Sequence, residues 1–152
     1  MKAFKINSAM TKASLSQDAF NELSYYTLAH PDKIYFIHQH IVDAWQAQTA
    51  DPYTKPIGLI FSLAGLYLCV EKKYSGRQVQ LVHMKMAQNK KEWPKIDLPD
   101  HRGSITVTDV LKTAPGDKRD LMIRDWCDSV WKAYRNCHET IAALVKKESG
   151  II

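Results

Sequence analysis

The sequence has few of the features that announce a function. It holds three cysteines, Cys69, Cys127 and Cys137, with no CxxC spacing. An odd count without that spacing argues against a secreted disulfide framework and against a zinc ribbon. No Walker A loop, GxGxxG, HExxH or GxSxG occurs, so the local signatures of nucleotide binding, zinc peptidases and α/β-hydrolases are missing. The longest apolar run, Ile57 to Val70, is 14 residues and contains glycine and serine. That is short for a membrane span and suits a buried core helix. Met1 to Ala13 carries lysines without an apolar stretch, so no signal peptide is expected. Six glycines and six prolines in 152 residues exclude a collagen-like or linker-dominated chain. These absences lead to the expectation of a cytoplasmic protein with no membrane partner.

What is present suits one globular domain. Hydrophobic residues make up 45% and charged residues 24%, enough apolar surface to offset chain entropy. A chain of this length can bury roughly 68–70% of its unfolded surface, so its core needs no disulfide or metal. The expected organisation is a partly flexible N-terminal extension, 1–14, followed by a single domain over 15–148. The net charge of +5 is unevenly placed. Segments 1–70 and 96–152 each balance to zero, and the excess sits in 71–95, in Lys72, Lys73, Arg77, Lys85, Lys90, Lys91 and Lys95. This basic patch could meet an acidic partner, or simply be a solvated helix with basic ends. Lys72/Lys73, Lys85 and Lys90/Lys91 do not share one helical face, so a nucleic-acid partner is not expected.

Helical periodicity runs through most of the chain. A first helix is expected from Ser16, as N-cap, to Ala29, and a second from Asp32 to Gln48. In the second, Ile34, Ile37, His38, Ile41 and Trp45 share a sector, with His40 and Asp43 on the polar side. The linker 49–56 carries two prolines. A third helix, Pro56 to Tyr74, is apolar nearly all round and should be central. Gly58, Ser62, Gly65 and Cys69 cluster within about 60° of its surface. Such a stripe of small residues admits a close neighbour or forms the wall of a pocket. A fourth helix is expected over 76–90, with Val79, Val82 and Met86 as its stripe, although 78–82 could also be a strand. Residues 91–116 are irregular apart from a short helix capped by Thr108. The last helix, Asp117 to Lys147, has the cleanest apolar face, from Met122, Trp126 and Val130 to Ile141 and Leu144. The fold class is therefore all-α, a bundle of four to five main helices with one long irregular connection.

An ordered set of strings carries a resemblance. His38-Gln-His-Ile-Val-Asp-Ala-Trp45, Ser62-Leu-Ala-Gly-Leu-Tyr-Leu68, Trp93-Pro94, Ile105-Thr-Val-Thr-Asp-Val110, and Trp126 through Trp131 to His138 follow in that order. Over about residues 22–145 the chain resembles an uncharacterised bacterial all-helical family, a domain of unknown function. The resemblance implies an all-helical cytoplasmic protein and supplies no reaction. Histidines of that family match His38 and His138, and one often stands where this chain has Ser62. There is a looser architectural similarity to DinB-like four-helix bundles, whose metal is held by histidines from separate helices.

The histidines offer the sharpest chemistry. His38 and His40 point about 200° apart on a helix and cannot share a metal there. His40 and Asp43 have chelating spacing but read as surface chemistry. His38, His83 and His138 each lie in or beside the apolar stripe of a different helix. Converging, they would bind one zinc, nickel or iron ion and leave a position for water. Otherwise each is a hydrogen-bonded, half-buried side chain. Trp45, Trp126 and Trp131, with Ser62, Gly65 and Cys69, are candidates to line an apolar ligand cavity. The cysteines read as buried and inert. The leading expectation is a helical-bundle protein that holds a small ligand or metal ion in a core lined by histidine and aromatic side chains. The alternatives are a metal-dependent hydrolase or transferase with a three-histidine site, and a non-catalytic module using the 71–95 segment. An exposed aromatic edge on the last helix would suit a homodimer.

Overall fold

The computed structural model describes residues 17–29, 32, 34–89 and 91–151. The helices are α1 (17–29), α2 (His38–Thr49), α3 (Pro56–Val70), α4 (Gly76–Ala87), α5 (Val107–Lys112), α6 (Asp117–Ala133) and α7 (His138–Ser149), with a 3-10 turn at Arg135–Cys137 before α7. Among the described residues there is no strand, and no helix is long and apolar enough to cross a membrane.

The most apolar segment forms the axis. Pro56 opens α3 at a position where its missing N–H costs nothing. Ile60, Leu63, Ala64, Leu66 and Leu68 are fully enclosed, because α2, α4, α6 and α7 all pack against this helix. The expected extension to Tyr74 does not occur. Lys73 takes a positive φ of 58°, and the chain folds back so that Tyr74 N–H donates to Leu68 O at 3.0 Å. Ser75 then caps α4 through a reciprocal pair, accepting from Gln78 N–H at 3.1 Å while Gln78 Oε1 accepts from Ser75 N–H at 2.8 Å.

Three expected boundaries change for local reasons. Helix α2 begins at His38, six residues later than Asp32, because the Asp32 carboxylate accepts from Ile34 N–H at 3.0 Å and Tyr35 N–H at 3.2 Å and holds a turn. Phe36 follows with φ 59°, outside the helical basin, and Ile34 is left 87% exposed. The short helix starts after Thr106, not Thr108. Asp109 reaches back to accept from Thr106 N–H at 2.8 Å and Thr106 Oγ1 at 3.2 Å. The long C-terminal helix is broken. Tyr134, at φ −91° and ψ 23°, leaves the α basin, and the Trp131 carbonyl accepts from Tyr134 N–H at 3.0 Å and is also hydrogen-bonded to His138 Nε2 at 2.7 Å. The break lets the buried Tyr134 hydroxyl donate to Ala47 O at 2.6 Å. With α5 and this split, the four to five main helices become seven α-helices among the described residues. The Ser16 cap and the 1–14 extension lie outside the described residues.

Two contacts fix the arrangement of helices. Gln48 is a junction: Oε1 accepts from Trp126 Nε1 at 3.0 Å, and Nε2 donates to Ile105 O at 2.8 Å and Arg102 O at 3.2 Å. It thereby ties α2 to α6 and to the irregular connection. At Gly65 the Asp43 side chain of α2 lies over α3, so that an added Cβ would be 1.9 Å from Asp43 Oδ2.

Gln48→Ala leaves the Trp126 indole and a carbonyl of the connection without partners, and is expected to lower unfolding free energy by about 2 kcal/mol, read as a shifted urea midpoint. Gly65→Ala overpacks the α2–α3 contact and should cost about 1–3 kcal/mol. A double-mutant cycle with Asp43→Ala should recover at least part of that loss, whereas strict additivity would show that the contact is not what Gly65 protects.

Candidate functional site

The three histidines singled out by the sequence are not brought together. His38 Nδ1 is bonded to Thr27 Oγ1 at 2.8 Å, His83 Nε2 to Phe61 O at 2.7 Å, and His138 Nε2 to Trp131 O at 2.7 Å while its ring stacks on Trp131 at 3.8 Å. Each imidazole secures one helix contact. Among the described residues no three His, Cys, Asp or Glu side chains form a group that could hold a metal ion. The aromatic lining disperses likewise. Trp45 stacks on Phe20 at 4.8 Å, Trp126 serves Gln48, and Trp131 Nε1 donates to Glu71 Oε2 at 2.7 Å. Ser62 donates to Gln46 Oε1 at 2.7 Å and Gly58 O at 3.0 Å, so the middle of the small-residue stripe, Ser62 and Gly65, is packed against α2, while Gly58 is exposed.

The basic segment is divided as well. Lys91 pairs with Glu148 and lies 5.0 Å over the Trp93 ring. Lys72 lies 5.9 Å over Tyr67, and Arg77 Nη1 donates to Gln80 Oε1 at 3.0 Å. Lys73, Lys85 and Lys95 border three separate depressions. Lys90 lies outside the described residues.

Cys69, the last residue of the stripe, has a different setting. It is 8% exposed and forms part of the wall of a cavity of about 490 Å³ together with Tyr35, Lys73, Arg124, Asp125 and Asp128. Behind it lie Cys127, His40 and Asp43, with 0%, 0% and 2% exposure. The polar face assigned to His40 and Asp43 from periodicity is thus turned inward. Helix α2 starts only at His38, and its approach to α3 at Gly65 places this side against the core.

Local backbone geometry aims the cavity wall. The Phe36 carbonyl fits against α4 where a Cβ on Gly76 would lie 1.8 Å from it. Arg77 N–H donates to Tyr35 O at 2.9 Å. The turn so clamped sets Tyr35 Oη 3.2 Å from His40 Nε2 and its ring 5.1 Å from the Arg124 guanidinium. Of the two described non-glycine residues with positive φ, Lys73 lines this cavity and Phe36 follows Tyr35, which lines it; strain of this kind collects at functional sites.

The electrostatics divide the two sulfurs. A hydrogen bond from Cys127 holds the Cys69 thiol well below its ordinary value, against the opposing effect of burial, and His40 and Arg124 lower it further. Cys127, bonded to Cys69 and fully enclosed, is pushed the other way. Its S–H has a second acceptor in reach, His40 O at 3.6 Å. The two shifts oppose, and the sulfur whose anion is favoured is the one that faces the cavity. Burial raises Tyr35, with Arg124 opposing, so its hydroxyl stays a donor. If that proton goes to His40 Nε2, His40 keeps its own on Nδ1. Burial also raises Asp43 well above its ordinary 3.8, despite the 3.1 Å bond from Gln39 Nε2 to Oδ1.

His40 Nδ1 and Asp43 Oδ2 are buried without hydrogen-bond partners. Each such atom costs about 1–3 kcal/mol, and native proteins retain few of them outside working sites. Sequence reading missed Tyr35, Arg124 and the effect of Cys127 on Cys69. The His40–Asp43 spacing and the stripe ending at Cys69 were visible signals, but only the packing of α2 on α3 and α6 joins them.

The Asp43 shift fixes the sign of a pH effect. The unfolded chain ionises this carboxyl near its ordinary 3.8 while the folded chain keeps the proton to higher pH. Its contribution is therefore full below that value and declines as pH rises towards the folded pKa. Between pH 5 and pH 6 the wild type should lose stability relative to Asp43→Asn, by up to about 1.4 kcal/mol per pH unit, in parallel urea titrations. A pH-independent difference would show that Asp43 ionises alike in both states.

A family model described as a family of unknown function, DUF5946, matches residues 12–135. The matched span contains Tyr35, His40, Asp43, Cys69, Arg124 and Cys127. No curated protein and no solved structure matches the chain, DinB-like bundles included. With the model spanning most of its length, the chain belongs to the DUF5946 family of unknown function.

Proposed function

We propose that the protein binds a small ligand in the Cys69 cavity and that Cys69 acts on it as a thiolate nucleophile. The carrying observation is the position of the sulfur. It faces a cavity large enough for a metabolite-sized molecule, and a thiol, an imidazole and a guanidinium all favour its anion. This is the microenvironment that distinguishes reactive cysteines from structural ones. It replaces the inert role expected from burial alone.

The ligand carries an anionic group. Arg124 acts on Cys69 directly, and Lys73 borders the same cavity. Asp125 and Asp128 also border it, but they border a neighbouring groove too, and Asp128 is paired with Lys132 at 2.8 Å. The cations are therefore the charges placed to orient a ligand at the sulfur. Tyr35 supplies a hydroxyl and an apolar ring on the same wall.

Alkylation separates the three thiols. At pH 7 Cys69 should react first in the native protein. Burial pushes Cys137 up to about 11, and Cys127 is fully enclosed. Anionic iodoacetate, measured against neutral iodoacetamide and normalised to free cysteine, should be favoured roughly two- to fivefold, the equivalent of about 0.5–1 kcal/mol from a partly exposed charge pair. Arg124→Gln should abolish the preference. Peptide mapping that finds Cys69 no faster than Cys137 would refute the nucleophile, and an unchanged preference in Arg124→Gln would refute the anion site.

A further inference from the structure

A second cavity, of about 460 Å³, lies at the N-terminal end of α3. Phe61 on its wall is eight residues from Cys69 along the same helix, about 12 Å at the helical rise. The two cavities are separate, and the chemistry of one does not depend on the other. Four segments meet at the second: Gln46 from α2, Ile57, Gly58 and Phe61 from α3, the end of α4, and Lys91 and Trp93 of the irregular connection.

Gly58 has no reason within the described structure to be a glycine. At Gly65, Gly76 and Gly103 an added Cβ would lie 1.9, 1.8 and 2.6 Å from a neighbouring atom, and Gly116 and Gly150 take positive φ of 97° and 76°. Gly58 sits in the first turn of α3 under neither constraint, and a Cβ there would meet nothing within 4 Å. Glycine weakens a helix relative to alanine. The space on this wall is therefore kept open at a cost that no contact among the described residues offsets.

The aromatic part of the wall is fixed and half-exposed. Phe61 and Trp93 meet edge to face, with ring centroids 5.4 Å apart at 83°. Behind Phe61, His83 Nε2 is hydrogen-bonded to the Phe61 carbonyl at 2.7 Å and its ring lies 5.4 Å from the phenyl ring. Two rings at right angles form a corner. A third flat ring fits it by stacking offset on one and meeting the edge of the other.

The polar groups at the rim narrow the ligand further. Lys91, the one charged side chain lining the cavity, is paired with Glu148, and Asn89 Nδ2 donates to the same carboxylate at 2.6 Å. No free charge is left to select an ion. Ile57 and Ala87 add apolar surface. Gln46 Oε1 accepts from Ser62 Oγ at 2.7 Å, and its Nε2 has no partner among the described residues. The wall thus offers one amide donor without an acceptor.

We infer that this cavity binds a small, uncharged molecule with an aromatic ring and a carbonyl group. The ring sits in the Phe61–Trp93 corner over Gly58, and the carbonyl oxygen accepts from Gln46 Nε2.

The test is an NMR titration of the isotope-labelled full chain with benzamide, beside cyclohexanecarboxamide, which lacks the aromatic ring, and benzoate, which carries a charge. Benzamide should shift the Trp93 indole, identified by its loss in Trp93→Phe, and the Gly58 amide. It should bind roughly three- to tenfold more tightly than the saturated amide, the margin of an aromatic contact beyond simple burial. Gln46→Glu keeps an acceptor for Ser62 but loses the donor, and should weaken benzamide about fivefold. Gly58→Leu should fill the space and abolish binding, and Gly58→Ala should raise the urea midpoint. Shifts centred on the other three tryptophans would overturn the site, as would wild-type affinity in Gly58→Leu. Equal binding of benzoate or of the saturated amide would overturn the ligand class. A lowered urea midpoint in Gly58→Ala would show that the fold itself needs the glycine, and would overturn the reading of the open space.

Discussion

The approach of α2 to α3 at Gly65 is the contact on which the rest depends. The Asp43 carboxylate occupies the space that any side chain at position 65 would need. At that separation the face of α2 bearing His40 and Asp43 lies inside the bundle. Cys69, one helical turn beyond Gly65, comes under the influence of His40 and of Cys127 on α6, both of which lower its thiol. An ordinary helix pair with larger residues at the contact would leave these polar groups at a solvated edge. The close packing instead encloses them, at the cost of two polar atoms without partners.

Around that contact the structure separates scaffold from site. The scaffold is redundant: a fully enclosed α3, the Gln48 junction, and hydrogen bonds such as Tyr134 to Ala47 and His138 to Trp131 that consume the polar ends of buried side chains. The cavity is bordered by segments held away from their intrinsic preference. Phe36 and Lys73 take left-handed conformations, and Gly76 lets the Phe36 carbonyl sit against α4. A rigid frame bearing a strained rim is how a fold holds reactive groups in place.

Charge at the site is organised by proximity to the sulfur more than by number. Cations and carboxylates both border the cavity, but Arg124 lowers Cys69 while also lying against Tyr35. The two thiols begin as chemically identical groups. Hydrogen bonding and unequal burial push them in opposite directions, the general device by which one fold obtains a nucleophile and a proton holder from like residues.

The sequence by itself determined the all-helical class, the central place of the 56–70 segment, the turn signals between helices and the small-residue stripe. Each of these follows from local periodicity, capping chemistry or side-chain size, which need only neighbours along the chain. Tertiary structure decided which stripe faces what. His38, His83 and His138 share a pattern in sequence, yet each is claimed by a different carbonyl or hydroxyl. His40 and Asp43 look like a surface pair until Asp32 and the Phe36 turn delay the start of α2 and its close approach to α3 encloses them. Cys69 and Cys127 are 58 residues apart in the chain, and no spacing rule links them. They meet because α3 and α6 pack side by side, and the reactivity of a thiol is set by what surrounds it in space.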